Sequence, residues 1–129
     1  MRGNQCGRGR VLIVDNSPVF RGVARELLEH RGYLVAEEAD SAKAAVEAVE
    51  RRAPDAALID TNLPHPDGIA LACHISVAHP AVAVLLVSDD PAPDIEGLLM
   101  RTGARGFVTK SELARVELGD YWPEPDPGG

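Results

Sequence analysis

Aromatic residues are scarce in this chain of 129 residues, at 4%. Aliphatic side chains must therefore fill whatever core it forms. Cysteine is equally sparse, with only Cys6 and Cys73, and their spacing fits neither a metal site nor a disulfide framework. Cys73 falls within a helical pattern, where a buried thiol is expected. A reducing cytoplasm suits this usage. No apolar run approaches the roughly 20 residues of a membrane span. The first ten residues are polar and glycine-rich and carry Arg2, Arg8 and Arg10, so no signal peptide is read there. Positive charge is in deficit: thirteen Lys and Arg against twenty Asp and Glu give a net charge of −7. That balance argues against direct contact with nucleic acid. Only two lysines occur, Lys43 and Lys110. The run Gly7-Arg8-Gly9 precedes a strand rather than following one, which excludes a phosphate loop.

What the chain does have is a regular alternation of apolar runs and helical patterns. Its length suits one domain with a proper core. Val11-Leu12-Ile13-Val14 reads as a central strand ending at Asp15-Asn16. Ser17-Pro18 supplies an N-cap and a first-turn proline, and Phe20, Val23, Leu27 and Leu28 recur at helical spacing up to Gly32. His30, in that helix's last turn, suits the dipole. Leu34-Val35-Ala36 is a short second strand. Ser41 caps a second helix with Ala42, Ala45, Val46 and Val49 on one side, and Pro54 ends it. Asp55 to Asp60 is the third strand, and Asp67-Gly68 opens a third helix to about Ala78. Val82 to Val87 is a fourth strand ending at Ser88-Asp89-Asp90. A short fourth helix follows, weakened by Pro91, Pro93 and Gly97, with Ile95, Leu98 and Leu99 inward and Gly103 as its stop. Gly106-Phe107-Val108-Thr109 is the fifth strand, and Ser111 caps a last helix of about two turns stopped near Gly119.

Five strands alternating with five helices predict a doubly wound α/β domain with a parallel sheet. The expected division is a flexible leader over 1–10, the domain over 11–118 and a proline-rich, disordered tail over 119–129. No second domain and no internal repeat are read from the sequence.

The polar residues share one place in this pattern. Asp15 and Asn16 follow strand one, Asp60 follows strand three, Ser88 and Asp89 follow strand four, and Lys110 follows strand five. All fall at the carboxyl edge of one sheet, where open α/β sheets bind ligands. Clustered acids repel unless a cation lies between them, and a hard ion such as Mg²⁺ suits carboxylate, amide and carbonyl oxygens. A hydroxyl and an ammonium opposite the acids can hold phosphoryl oxygens, with Asp60 as the acceptor.

The motifs Val11-Leu12-Ile13-Val14-Asp15-Asn16-Ser17-Pro18, Leu58-Ile59-Asp60 with Leu63-Pro64 and Asp67-Gly68, Val87-Ser88, and Gly103 through Lys110 stand in the order of a known family. The chain resembles the receiver domain of two-component response regulators from Val11 to Leu118. The resemblance implies a flavodoxin-like sheet of strand order 2-1-3-4-5. It implies a phosphoacceptor role for Asp60, served by a sensor histidine kinase or a small acyl phosphate, with slow self-dephosphorylation rather than an enzyme's turnover. Asp15 and Asn16 match the acidic pair that holds Mg²⁺, and Asn62 would offer its backbone carbonyl. Ser88 matches the switch hydroxyl, Lys110 the phosphoryl-binding lysine and Phe107 the aromatic switch. The signalling face would be helix four, strand five and helix five. A stand-alone cytoplasmic receiver, monomeric or weakly dimeric, would then act by changing which protein it binds.

Three departures from the family pattern point to an alternative. Asn16 stands where a second acid is usual, Asp89 follows the switch serine where a small residue is usual, and the last helix is short with a proline-rich tail. Together they fit a degenerate pseudo-receiver that binds partners without phosphorylation. The run Asp60-Thr61-Asn62 also resembles aspartate-nucleophile phosphatases of the haloacid dehalogenase type, but Asn62 cannot serve as their general acid–base. His65, between two prolines, reads as an exposed loop residue. His74 and His79 read as helix-surface residues, and Tyr121 and Trp122 as part of the loose tail.

Overall fold

The computed structural model describes residues 9–63 and 67–123. A five-stranded parallel sheet runs through it in the order β2-β1-β3-β4-β5. The elements are β1 (Arg10–Val14), α1 (Pro18–His30), β2 (Leu34–Ala39), α2 (Ala42–Arg52), β3 (Ala56–Asp60), α3 (Gly68–Ala78), β4 (Ala83–Ser88), α4 (Ile95–Thr102) and β5 (Gly106–Thr109). This is the doubly wound parallel sheet expected from the alternating pattern, in the flavodoxin-like strand order that the resemblance implied. The order reverses beside β1, and the crevice at such a switch point opens at the carboxyl ends of the strands.

The central strands are buried on both faces, so alternation divides their side chains between two cores. Leu12, Val14, Ile59, Val84 and Leu86 pack beneath α2, α3 and α4. Val11, Ile13, Leu58, Leu85 and Val108 pack on the opposite face, with Ala24 and Leu28 of α1. Aliphatic residues make up most of both layers, as the shortage of aromatics requires.

The helices start where side chains can satisfy orphan backbone donors. Ser17 accepts from the N–H of Phe20 at 3.2 Å, Ser41 from Ala44 at 3.2 Å, Asp67 from Ala70 at 2.9 Å and Asp94 from Gly97 at 3.0 Å. Pro18 occupies the first turn of α1. Gly103 ends α4 at φ 75°, a conformation that glycine adopts without steric penalty.

Several expectations are corrected. The second strand is longer than expected, reaching Ala39, because Glu37, Glu38 and Ala39 continue the pairing with β1 past an irregularity at Val11/Leu12. Cys73 is exposed, since Ala72 and Ile75 take the inward face of α3. Val23 and Ile95 are exposed at 58% and 43%, although both repeat at apolar spacing.

The largest correction follows β5. Among the described residues no α-helix follows Lys110; residues 110–115 make successive turns, and a 3₁₀ turn spans Leu118–Asp120. The cap is Thr109 rather than Ser111. Its hydroxyl accepts from the N–H of Glu112 at 3.3 Å, and its own N–H donates to the Glu112 carboxylate at 3.0 Å. That is a reciprocal capping box, but the helix it could start does not continue. Arg31, just past α1, donates instead to the carbonyl of Val116 at 2.7 Å and to that of Ala114.

The start of the expected tail is folded too. Trp122 is 3% exposed and meets Tyr33 edge to face, with ring centroids 5.4 Å apart. Tyr121 lies over Gly106, where an added Cβ would come within 2.3 Å of the ring. The leader up to residue 8, His65 and residues 124–129 lie outside the described residues.

Candidate functional site

The carboxyl ends of β1, β3, β4 and β5 bring four of the predicted residues into one cluster. Asp15 follows β1 and is fully buried, and Asp60 ends β3 at 3% exposure. Lys110, directly after β5, places its Nζ 2.8 Å from Asp15 Oδ2, 3.8 Å from Asp60 Oδ2 and 3.9 Å from Asp89 Oδ1. The ammonium therefore sits among three carboxylates and closest to that of Asp15.

Local chemistry holds each member in place. The N–H of Ser17 donates to Asp15 Oδ1 at 2.7 Å, and the N–H of Asn62 donates to Asp60 Oδ1 at 3.0 Å. Both are short-range turns closed by an aspartate side chain. Lys110 lies inside the Thr109–Glu112 capping box, and its N–H donates to Ser88 O at 2.8 Å. Its ammonium also lies 4.3 Å from the centre of the Phe20 ring, in cation–π contact. Gly68 allows α3 to begin against the Asp60 peptide. A Cβ there would fall 1.8 Å from Asp60 O.

Burial pushes the Asp60 carboxyl above its ordinary 3.8, and the charge and hydrogen bond of Asp15 push it the same way, against the Asn62 N–H and Lys110. For Lys110, burial works against the charged form. The hydrogen bond and charge of Asp15, followed by Asp60 and Asp89, outweigh it and hold the ammonium above its ordinary 10.5. The cluster thus holds a lysine whose charged form is favoured beside a carboxyl whose charge is disfavoured, with carboxylate oxygens in excess. Such a perturbed pair makes the cluster a candidate functional site.

Ser88 is buried at 6% exposure. Its Oγ accepts from the Asn62 side-chain amide at 3.2 Å and from the N–H of Asp90 at 3.3 Å. Phe107, half-buried on β5, lines a cavity of 430 Å³ together with Ser88, Asn62, Leu98 and Arg101. Asn16 is the outlying member: it is exposed on the rim beside Asp15.

Three contributors were not foreseen. Phe20 was read only as a core residue of the first helix, and Asn62 only for its backbone carbonyl and as a side chain unable to act as an acid–base. Arg21, whose guanidinium donates to Asp15 O at 2.7 Å and to Glu38 at 3.1 Å, was not singled out. A signal for the Lys110 setting was present in the run Thr109-Lys110-Ser111-Glu112, which has capping-box spacing.

The model of the response regulator receiver domain matches residues 11–118. The chain belongs to the response regulator receiver family. The receiver is 35% identical over 119 residues to the transcriptional regulatory protein NarL of Mycobacterium tuberculosis, covering 92% of this chain and 55% of that protein. A solved structure of the signal receiver domain of NarL from the same species has 32% identity and a TM-score of 0.72, covering 80% of this chain and 84% of that one. A two-component response regulator of the LuxR family from Aurantimonas sp. SI85-9A1 has 33% identity and a TM-score of 0.75, covering 81% of this chain and 75% of that one. The receiver spans about half the length of the curated relatives it matches. Receiver domains as a family bind Mg²⁺ in an acidic pocket of this kind. No helix among the described residues is long and apolar enough to cross a membrane.

Proposed function

We propose that this receiver accepts a phosphoryl group on Asp60 from a sensor histidine kinase. The observation that carries the reading is the Lys110 ammonium held 3.8 Å from Asp60 Oδ2 and 2.8 Å from Asp15 Oδ2. A cation fixed beside a buried acid can neutralise the oxygens of an arriving phosphoryl group without reorganising. An Asp60 carboxylate oxygen forms the new bond to phosphorus. The bond from phosphorus to the donor's imidazole nitrogen, or to the acyl oxygen of a small acyl phosphate, breaks with its electron pair on the leaving group. Water attack on the resulting aspartyl phosphate returns the carboxylate and inorganic phosphate. The protein is a phosphoacceptor in this cycle and not a turnover enzyme.

The donor atoms suit Mg²⁺. Two adjacent buried carboxylates share one ammonium, and burial first, then the charge of Asp15, raises Asp60; a hard cation relieves the repulsion between the two acids. Asp15 and Asp60 would hold it, with the amide oxygen of Asn16 and the backbone carbonyl of Asn62 completing the set. Mg²⁺ usually keeps several waters and takes one or two carboxylates from the protein, which two aspartates with amide and peptide oxygens beside them can supply. When bound, the ion supplies charge neutralisation for the transferring group. The downstream partner is a protein that distinguishes the two states of the receiver, and a cytoplasmic location belongs to the same reading.

Asn16 and Asp89 favour a second reading, a pseudo-receiver that binds partners regardless of phosphate. Asp89 offers Lys110 a third carboxylate at 3.9 Å, and Asn16 brings one charge fewer to the metal. Intact mass after incubation with Mg²⁺ and acetyl phosphate separates the two. One added phosphoryl group on wild type and none on Asp60→Asn is expected. Equal uptake by both proteins removes Asp60 from its role. No uptake by wild type, together with no response to beryllofluoride by NMR, leaves the pseudo-receiver.

A further inference from the structure

Asn62 takes part in the site twice over. Its N–H holds Asp60 Oδ1 at 3.0 Å, while its side chain reaches across to β4 and donates to Ser88 Oγ at 3.2 Å. The N–H of Asp90 donates to the same oxygen at 3.3 Å. A serine hydroxyl has two acceptor positions and one proton. Here both acceptor positions are taken, one by the loop after β3 and one by the loop after β4. To bind a phosphoryl oxygen the hydroxyl must donate its proton toward Asp60, and reorienting it disturbs these two bonds.

We infer that the side chain of Asn62 is a latch on the Ser88 hydroxyl, a positioning residue that stabilises the resting state and sets how readily the receiver switches. The inference rests on the phosphoacceptor reading of Asp60. It assigns the Asn62 side chain a role separate from its backbone, which a side-chain substitution leaves in place. The bond joins the loop that follows the acceptor to Ser88 in the wall of the Phe107 cavity. Releasing the latch therefore frees a hydroxyl that the phosphorylated state requires elsewhere. Asp90 alone is a weaker restraint, because its N–H belongs to the loop that Ser88 itself begins.

The test is a double-mutant cycle over Asn62→Ala and Ser88→Ala, read by beryllofluoride titration in Mg²⁺ with NMR detection. Asn62→Ala is expected to tighten beryllofluoride binding by about 2- to 10-fold, the range one neutral hydrogen bond spans. In the Ser88→Ala background the same substitution is expected to change nothing. Asn62→Gln, which keeps an amide donor, should fall between wild type and Asn62→Ala. Without any ligand, the Ser88 Hβ couplings of Asn62→Ala should show a second rotamer that wild type lacks. Equal effects of Asn62→Ala in both backgrounds would mean that Asn62 acts on the site directly and would overturn the latch. So would a wild-type affinity and an unmoved Ser88 rotamer in Asn62→Ala. A wild type that binds no beryllofluoride overturns the phosphoacceptor reading and the switch together, a pattern distinct from the other two.

Discussion

Asp60 and Gly68 meet at the tightest point of the site, and each supports a prediction at the scale of a single residue. Burial and the neighbouring Asp15 hold Asp60 above its ordinary pKa. A carboxyl raised in the fold stabilises the protein while it is protonated, below its unfolded value. That contribution is lost as pH rises through the folded value. Above this window the ionised Asp60 is a liability in metal-free protein. Asp60→Asn is therefore expected to raise the Tm at pH 7 in the presence of a chelator, with the advantage shrinking as pH falls toward 3.8, the carboxyl's ordinary value. Thermal scans across that range check it, and a variant less stable than wild type at pH 7 would contradict the burial argument. Gly68→Ala tests the approach of α3 to the acceptor strand. Its Cβ would meet the backbone of Asp60, which cannot swing aside as a flexible side chain can. The expected cost is about 1–3 kcal/mol in urea unfolding, with a slower phosphorylation rate because the Asp60 peptide must shift.

At the scale of elements, the segment after β5 does the work of a helix without being one. Arg31 joins the end of α1 to the carbonyls of Ala114 and Val116, and Leu113, Leu118 and Trp122 complete the core on that face of the sheet. Trp122→Ala should lower stability by about 3–5 kcal/mol, a large share of the roughly 5–15 kcal/mol that holds a domain together. Trp122→Phe should lose far less. The ring stays against Tyr33, and the buried indole N–H, which has no hydrogen-bond partner among the described residues, is removed. Urea denaturation of both variants gives the comparison; equal losses would mean that the indole N–H is satisfied in solution. The sequence suggested a floppy tail here because prolines and terminal glycines dominate its composition. Tyr121 and Trp122 gave no sign of where they would dock, since the slot above Gly106 and the edge of Tyr33 lie on distant parts of the chain.

Across the whole molecule, two core layers share one sheet, so neither layer can open without exposing the strands between them. Unfolding is expected to be a single cooperative transition. Trp122 is the chain's only tryptophan, and its burial against Tyr33 makes its fluorescence a report on the docking of the C-terminal segment. The fluorescence and far-ultraviolet circular dichroism transitions should coincide in urea. An earlier fluorescence midpoint would show that the C-terminal segment opens separately from the sheet.

The parallel sheet, the site at its carboxyl edge and the convergence of Asp15, Asp60, Ser88 and Lys110 were legible in the sequence, while the strand order followed only from the resemblance to receiver domains. Buried parallel strands read as continuous apolar runs, and their polar endings lie at one edge whatever the side-chain packing. Helix starts were mostly legible for a similar reason, because capping is local chemistry between residues a few positions apart. Tertiary structure alone decided the rest. It set Lys110 against Asp15 more closely than Asp60, stacked it by Phe20, turned the Asn62 amide toward Ser88, and replaced the expected last helix with turns anchored by Arg31. Each of these depends on distances between residues far apart in the chain. Periodicity and local propensity carry no information about such distances until the sheet has brought the residues together.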